Sequence, residues 1–478
     1  MAQCQYSRSN RRSGLQKLWA VYLKACGMSA RAFDAIHAIG VSMSHRWVLD
    51  AYGKLSKNAM SKVQDVVKEY PWSISHDNVN LPMRVFSQRL HNQSHFISGT
   101  AGTVWQLPVQ ARLPAGANRR FNEFRAEHSG AVFAFDKLIY GNDAADDRMD
   151  TWFAYHICSF LLNSPDFNDY KYKDSLVLAE PPPTHQLAYG VDNVVKQHIL
   201  GTCTMEEASY DGTMKVMEEF FHQLGLGTLE NKKKIGEEAF IPWLGDQLTV
   251  DRLRGMWSYR HADHNSFDRL DFMLPAFGWF HLIMTFANSL HKQYLMTSSA
   301  IGSLRQAFDV LHRKGLVVQS TKGPFWHNLD EAIHHIAEAH FRACWLRVGN
   351  VTDLKDLKQK KPDELKAMSM RILEKHASQR ALVDMQDSRT AEEQDLVQIQ
   401  WTLWNKDVLP YIELRHAVRT GDVGRMEDLL PLMAFRFSGG GNTNYLTEIL
   451  ELFQGLNQEW PQEIWLVKLA SHNGNNFM

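Results

Sequence analysis

The stretch WSISHDNVN, residues 72 to 80, holds the first change of period in the chain. Trp72, Ile74 and His76 alternate with Ser73, Ser75 and Asp77. That is the period-two pattern of a half-buried strand, and it runs into a carboxylate. Upstream, the pattern is helical. Leu15, Leu18, Trp19, Tyr22 and Leu23 repeat at helical spacing. Ser29 reads as the N-cap of a second helix, Ala30 to Ile39, and Gly40 as its stop. A third helix carries Trp47, Val48, Ala51, Tyr52 and Leu55, and the Gly40-Val41-Ser42 break before it resembles a helix-turn-helix.

Downstream, SHFISGTAGTVWQLP (94–108) predicts a second β region, with Gly99 and Gly102 allowing tight turns. Residues 109–235 read as mainly helical. They include an acidic loop, GNDAADDRMD (141–150), and a proline connector, EPPPTH (180–185). Glu238 to Leu244 predicts a short apolar strand followed by Gly245-Asp246-Gln247, with Thr249 capping the next helix. Leu274 to Phe280 predicts another strand, leading into a helix from His281 to Tyr294. Residues 300–430 are nearly all helical in pattern, with KDLKQKKPDELK (355–366) as a charged break. SGGGNTN (438–444) then precedes a periodic helix, Tyr445 to Phe453. The run GGGN lacks the strand and the Lys-Ser/Thr of a P-loop and reads as a flexible lead into that helix.

The chain has 478 residues, of which 44% are hydrophobic, enough for a sizeable core. Its 52 basic and 53 acidic side chains leave a net charge of −1, which excludes a uniformly basic coat and a polyacidic chain. The balance is uneven. Residues 1–70 hold eleven basic and four acidic side chains, a local excess suited to phosphate contact and equally to a solvated face. Arg8, Arg11 and Arg12 read as a solvated end. Five scattered cysteines without a C-x-x-C pair, and a start lacking an apolar signal core, predict an intracellular protein in a reducing compartment. The longest apolar stretch, Leu270 to Leu290, is broken by Asp271, Pro275, Gly278 and His281 and makes a poor membrane span.

Three carboxylates stand in different contexts. Asp77 ends a strand, Asp246 follows a strand and precedes a helix, and Glu448 lies on the last helix. Acids at such stations can hold two divalent metals about 3.5–4 Å apart, clamping the attacking and leaving oxygens of a phosphodiester. Oxygen ligands suit Mg2+ or Mn2+. Spacing alone is a weak signal, since turn and capping carboxylates produce the same pattern. On the helical wheel Leu446, Ile449, Leu450 and Phe453 form the buried face. Glu448 is the more sheltered candidate, with Glu451 as its reserve. Read alone, His281 is a satisfied corner histidine, and Arg252 and Arg254 are surface charges. Two E-x-x-H motifs, Glu219/His222 and Glu331/His334, meet part of a di-iron bundle signature, but the β segments fit such a bundle poorly.

The wording of the sequence adds a resemblance. HDNVN with VFSQR and HFISGTAGT, LGDQLTVDRLRG, FDRLDFMLPAFGWFH and GGGNTNYLTEILE resemble a large fungal family of uncharacterised, transposon-associated proteins. That family in turn resembles the cut-and-paste DDE transposases of eukaryotic elements. The resemblance spans about residues 10 to 470, with GDQLT and the Trp279/His281 pair most specific. It implies an α/β fold: a ribonuclease-H-like mixed sheet interrupted by large helical insertions, after a helical N-terminal region. The implied division is 1–70 helical and basic, 71–108 first core part, 109–235 insertion, 236–299 second core part, 300–437 insertion, and 438–478 catalytic helix and tail. Asp77, Asp246 and Glu448 would be the catalytic metal ligands, and His281 would stand near the scissile phosphate. The resemblance further implies DNA (transposon ends or related sequences) as partner, two Mg2+ or Mn2+ ions as cofactor, the nucleus as location, and an assembly compatible with a dimer. The rival expectation is a non-catalytic DNA-binding or scaffold protein that kept the fold.

Overall fold

A computed structural model describes residues 13–83, 93–114, 116–128, 130, 132–205, 207, 209–296, 301–317, 326–387, 390 and 393–461. Cys4, Arg8, Arg11, Arg12 and the VFSQR stretch (85–89) lie outside them. In chain order the elements begin with helices α1 (Gly14–Ala25), α2 (Ala30–Ala38) and α3 (His45–Glu69), then strands β1 (Trp72–Met83) and β2 (His95–Gln106). Helices α4 (Ala117–His128), α5 (Phe135–Ile139) and α6 (Asp143–Leu162) follow, then β3 (Lys196–Ile199), α7 (Tyr210–Gln223), α8 (Leu229–Glu238) and β4 (Ile241–Gly245). Next come α9 (Gln247–Tyr259), β5 (Met273–Phe277), α10 (Trp279–Tyr294), α11 (Leu304–Val310) and α12 (Trp326–Gly349). The chain continues with α13 (Pro362–His376), α14 (Gln379–Asp387), α15 (Leu396–Thr420), α16 (Val423–Asp428), α17 (Leu430–Gly439) and α18 (Thr443–Gln454). The strand order is β3-β2-β1-β4-β5, mixed in direction. This is the α/β, ribonuclease-H-like class that the sequence implied, helical N-terminal region included.

The chain divides into two compact units, residues 1–109 with 196–234, and 110–195 with 235–478. In the first, Ala20, Phe33 and Val48 make the core of α1–α3. Ser29 and Ser44 accept the capping N–H of Ala32 and Trp47, and Gly40 takes φ +72°, so the expected start and stop of α2 are present. The β1–β2 ladder is antiparallel, with Trp72 opposite Gln106 and Asp77 opposite Ala101. β3 pairs antiparallel with β2, a short strand inside a region that read as mainly helical.

Gly99 and Gly102 correct an expectation. Both lie inside β2, not in turns. A Cβ at Gly99 would stand 2.5 Å from the Cys203 carbonyl oxygen, and one at Gly102 would stand 2.7 Å from the Phe220 ring. Glycine is needed there for close approach.

The second unit joins the parallel pair β4–β5, in register from Ile241↔Met273 to Gly245↔Phe277, to a helical assembly. Leu161 and Ile157 of α6, Leu282 and Phe286 of α10, Ile333 of α12, Ile372 of α13 and Leu409 of α15 share one continuous core. Residues 143–150, expected as a loop, are the start of α6. Asn142 caps the helix, and Asp143 and Asp146 sit in its first turn, where the N-terminal dipole favours negative charge. The 355–366 break is a short 3-10 turn followed by α13, with Pro362 in its first turn.

Candidate functional site

β4 is buried along its whole length and ends at Gly245. The next residue, Asp246, is the N-cap of α9: its Oδ1 accepts the Thr249 N–H at 2.8 Å. Thr249, the expected cap, is buried inside the helix instead. Asp246 takes the extended backbone that a cap requires, and its acceptor-only carboxylate suits the helix N-terminus. A Cβ on Gly245 would come within 2.4 Å of Thr249 Cγ2, so this glycine lets the turn pack against its own helix.

β5 ends beside it, where the Gly278 N–H donates to the Gly245 carbonyl at 3.0 Å. Helix α10 starts there, with half-buried His281 in its first turn. The carboxyl ends of two parallel strands thus lead into two helix N-termini, the usual location of ligand sites in α/β sheets.

α18 completes this corner. Tyr445 hydrogen-bonds the Thr285 side chain of α10 and the Gln247 backbone of α9. Burial pushes its phenol well above the ordinary range, and the charges of Asp246 and Glu448 add to that. Both acids therefore bear on one hydroxyl. Glu448, one turn beyond Tyr445, is buried, and Glu451 is exposed, as the wheel predicted. The structure adds a partner that the sequence left on the surface. Arg254 Nη1 donates to Glu448 Oε2 at 3.0 Å, and Nη2 donates to Oε1.

Asp77 belongs to the first unit, and it lies inside β1 opposite Ala101, not at a strand end as the alternation implied, because the ladder continues to Met83. Its side chain is exposed, and its Oδ1 accepts the Asn78 N–H at 2.8 Å. On the opposite face of β1, buried His76 pairs with Glu207, whose Oε1 also accepts Asn78 Nδ2 at 3.0 Å.

The second unit also holds a buried ionic cluster that the sequence reading missed. His156 Nε2 of α6 lies 2.5 Å from Glu413 Oε2 of α15. Arg425 of α16 donates from Nε to Glu413 Oε1 at 2.6 Å, and its Nη2 is 3.0 Å from His416 Nδ1. The guanidinium lies 3.3 Å from the centre of the Trp152 ring. His156, Glu413 and His416 have donor atoms close enough together for a metal ion. Arg425 already supplies the positive charge between Glu413 and His416, so the set reads as an ion-pair network. A third E-x-x-H, Glu413 to His416, was its signal in the sequence. Of the two motifs singled out, Glu219 is hydrogen-bonded by Gln223 in the first unit, and Glu331 pairs with Arg313 in the second.

Residues 129–478 match DUF6589, a family of unknown function, and the chain belongs to that family. No curated protein and no solved structure shows a match. Among the described residues no helix is long and apolar enough to cross a membrane.

Proposed function

We propose that the protein is a transposase-derived DNA-binding core of the ribonuclease-H-like kind, in which the third acidic position has become a structural ion pair. The observation that carries this reading is the fork of Arg254 on both oxygens of buried Glu448. A two-ion magnesium or manganese site needs hard oxygen ligands open to the metal. Asp246 fits that need with the oxygen not used for capping. Glu448 does not, because a guanidinium covers it. DNA contact is supported by the basic first unit, where Lys54, Lys57, Lys62 and Lys68 are all exposed along α3. Such a protein would act in the nucleus, and paired DNA ends would suit a dimer.

A second reading is an active DDE-type strand transferase or nuclease. It is favoured by the position of Asp246 at a strand end beside the α10 N-terminus and half-buried His281. Asp77, Asp246 and Glu448 would then be the ligands, with Arg254 released onto a phosphate. The test combines a DNA-binding titration at several salt concentrations with nicking of supercoiled DNA in Mg2+ or Mn2+. The proposal expects salt-sensitive binding without metal-dependent nicking. Nicking that disappears in Asp246→Asn would replace it with the active enzyme. Absence of DNA binding would remove both readings.

A further inference from the structure

Within the second unit, a cavity of about 1510 Å³ opens between α10, α13, α15 and α17. It is larger than most small-molecule sites, which run to about 1,000 Å³. Its wall carries five basic side chains, Lys292, Arg371, Arg380, Lys406 and Arg436, against three acidic ones, Asp150, Glu374 and Asp407. The acids are weaker opponents than the count implies. Asp407 is taken by Arg436 Nη1 at 2.5 Å and by the Tyr294 hydroxyl at 2.6 Å. Burial and the neighbouring Asp146 and Asp147 push the Asp150 carboxyl up, toward its neutral form.

Arg436 points to a ligand. Its side chain is 10% exposed, and its Nε and Nη2 are buried without an acceptor. A buried guanidinium with idle donors is costly unless something accepts from it. The Ser289 hydroxyl in the same wall is also buried and unpartnered. Between them runs Gly439-Gly440-Gly441, the run that the sequence left as a flexible lead. A Cβ at Gly440 would stand 2.7 Å from Ser289 Oγ, and Gly441 takes φ +70°. The turn therefore brings bare backbone against the serine and leads directly into α18, whose N-cap Asn442 makes no side-chain cap. Idle guanidinium donors, a hydroxyl, a glycine turn and an uncapped helix start are together the components of a phosphate cradle.

We propose that this cavity is a phosphate-binding site, built by Arg436, Ser289 and the 439–441 turn, for a phosphorylated ligand of nucleotide size. Lys292 and Arg380, exposed at the wall, would attract and hold its charge. The site stands whether or not the DNA reading does, because its residues are separate from Asp246 and Glu448. The shared chemistry is a phosphate group, carried either by a free small molecule or by a nucleic-acid strand.

The experiment is calorimetric titration of the full chain with pyrophosphate, and in a second arm with a short single-stranded DNA. Saturable 1:1 binding is expected in at least one arm. Arg436→Gln should weaken it by about tenfold or more, the size expected for hydrogen bonds to a charged group. Lys355→Gln, at an exposed lysine outside the cavity wall, should leave pyrophosphate binding unchanged. If Arg436→Gln fails to fold, the double variant Lys292→Gln/Arg380→Gln decides, with an expected loss of several fold. Pyrophosphate binding weakened by Arg436→Gln assigns a small-molecule source, and DNA binding weakened by Arg436→Gln, without pyrophosphate binding, assigns a strand. No saturable binding in either arm, or binding indifferent to the cavity variants, overturns the proposal.

Discussion

Arg254 and Glu448 join α9 to α18 through both carboxylate oxygens, in a place where the glutamate side chain is 1% exposed. A pair of this kind makes asymmetric demands on its partners. Removing the cation strands a buried anion, which typically costs about 3–5 kcal/mol. Arg254→Met should therefore lower stability by roughly that amount in urea unfolding. Glu448→Gln should cost less, because Arg254 is partly exposed and can turn to water. Arg254→Met/Glu448→Met should recover much of the loss. An Arg254→Met protein as stable as the parent would mean that the fork carries no structural load.

Asp246 does two things that substitution can separate. Asparagine caps a helix about as well as aspartate, while alanine costs about 1 kcal/mol. Asp246→Asn should match the parent in thermal unfolding, and Asp246→Ala should melt earlier. Any metal-linked property of the corner should be lost in both. A large destabilisation by asparagine would show that the charge, not the cap, holds α9.

Gly102 tests close approach in β2. A Cβ there would lie 2.7 Å from the Phe220 ring. Overpacking of this kind costs about 1–3 kcal/mol. Gly102→Ala should be destabilised by that order, and Phe220→Leu added to it should return part of the loss, since the shorter side chain vacates the contact. Strictly additive effects in a double-mutant cycle would refute the contact.

Acid sensitivity follows from two histidines of α12. Burial pulls both His334 and His340 down to about 4. Arg415, His156 and His335 press further on His334, whereas the Asn405 side chain opposes the shift at His340. In the unfolded chain each titrates near 6.5. The folded state thus binds these protons more weakly, so stability is full above about 6.5 and falls as the pH drops toward about 4. Each histidine contributes a slope of up to about 1.4 kcal/mol per pH unit. Glu413 acts in the same sense. Burial pushes its carboxyl up, but His156 and Arg425 outweigh that and hold it below the ordinary value, so its contribution is also lost in acid. Urea midpoints at pH 7, 6 and 5 should fall, and His334→Gln should flatten the fall. A midpoint constant from pH 7 to 5 would contradict the burial of these groups.

Much of the sheet was legible because strands announce themselves by period. Trp72 to Asp77 alternates and opens β1, though the strand runs on to Met83 and Asp77 does not end it, and the apolar residues up to Leu244 and from Leu274 mark β4 and β5. Local chemistry was less legible. Gly141-Asn142 followed by four aspartates resembles a loop, yet Asn142 is a cap and Asp143 and Asp146 are first-turn acids. Thr249 and Asp246 are both capping residue types, and only backbone geometry chooses between them. The wheel placed Glu448 correctly in shelter, but nothing local could show Arg254 reaching it from 194 residues away in sequence. The same limit hid the Arg425 network, whose members come from α6, α15 and α16.

The assembly of the second unit sets a timetable for synthesis. Helix α6 carries Trp152, Phe153, Ile157, Leu161 and Leu162 on faces buried against later helices, α13 among them. About 200 residues must still be translated after α6 before α13 exists, which at 5–20 residues per second is about 10–40 s. During that interval the growing chain displays an apolar helix with no partner to cover it. A cell that makes this protein must keep that helix out of wrong company, so demand for chaperones should peak midway through translation.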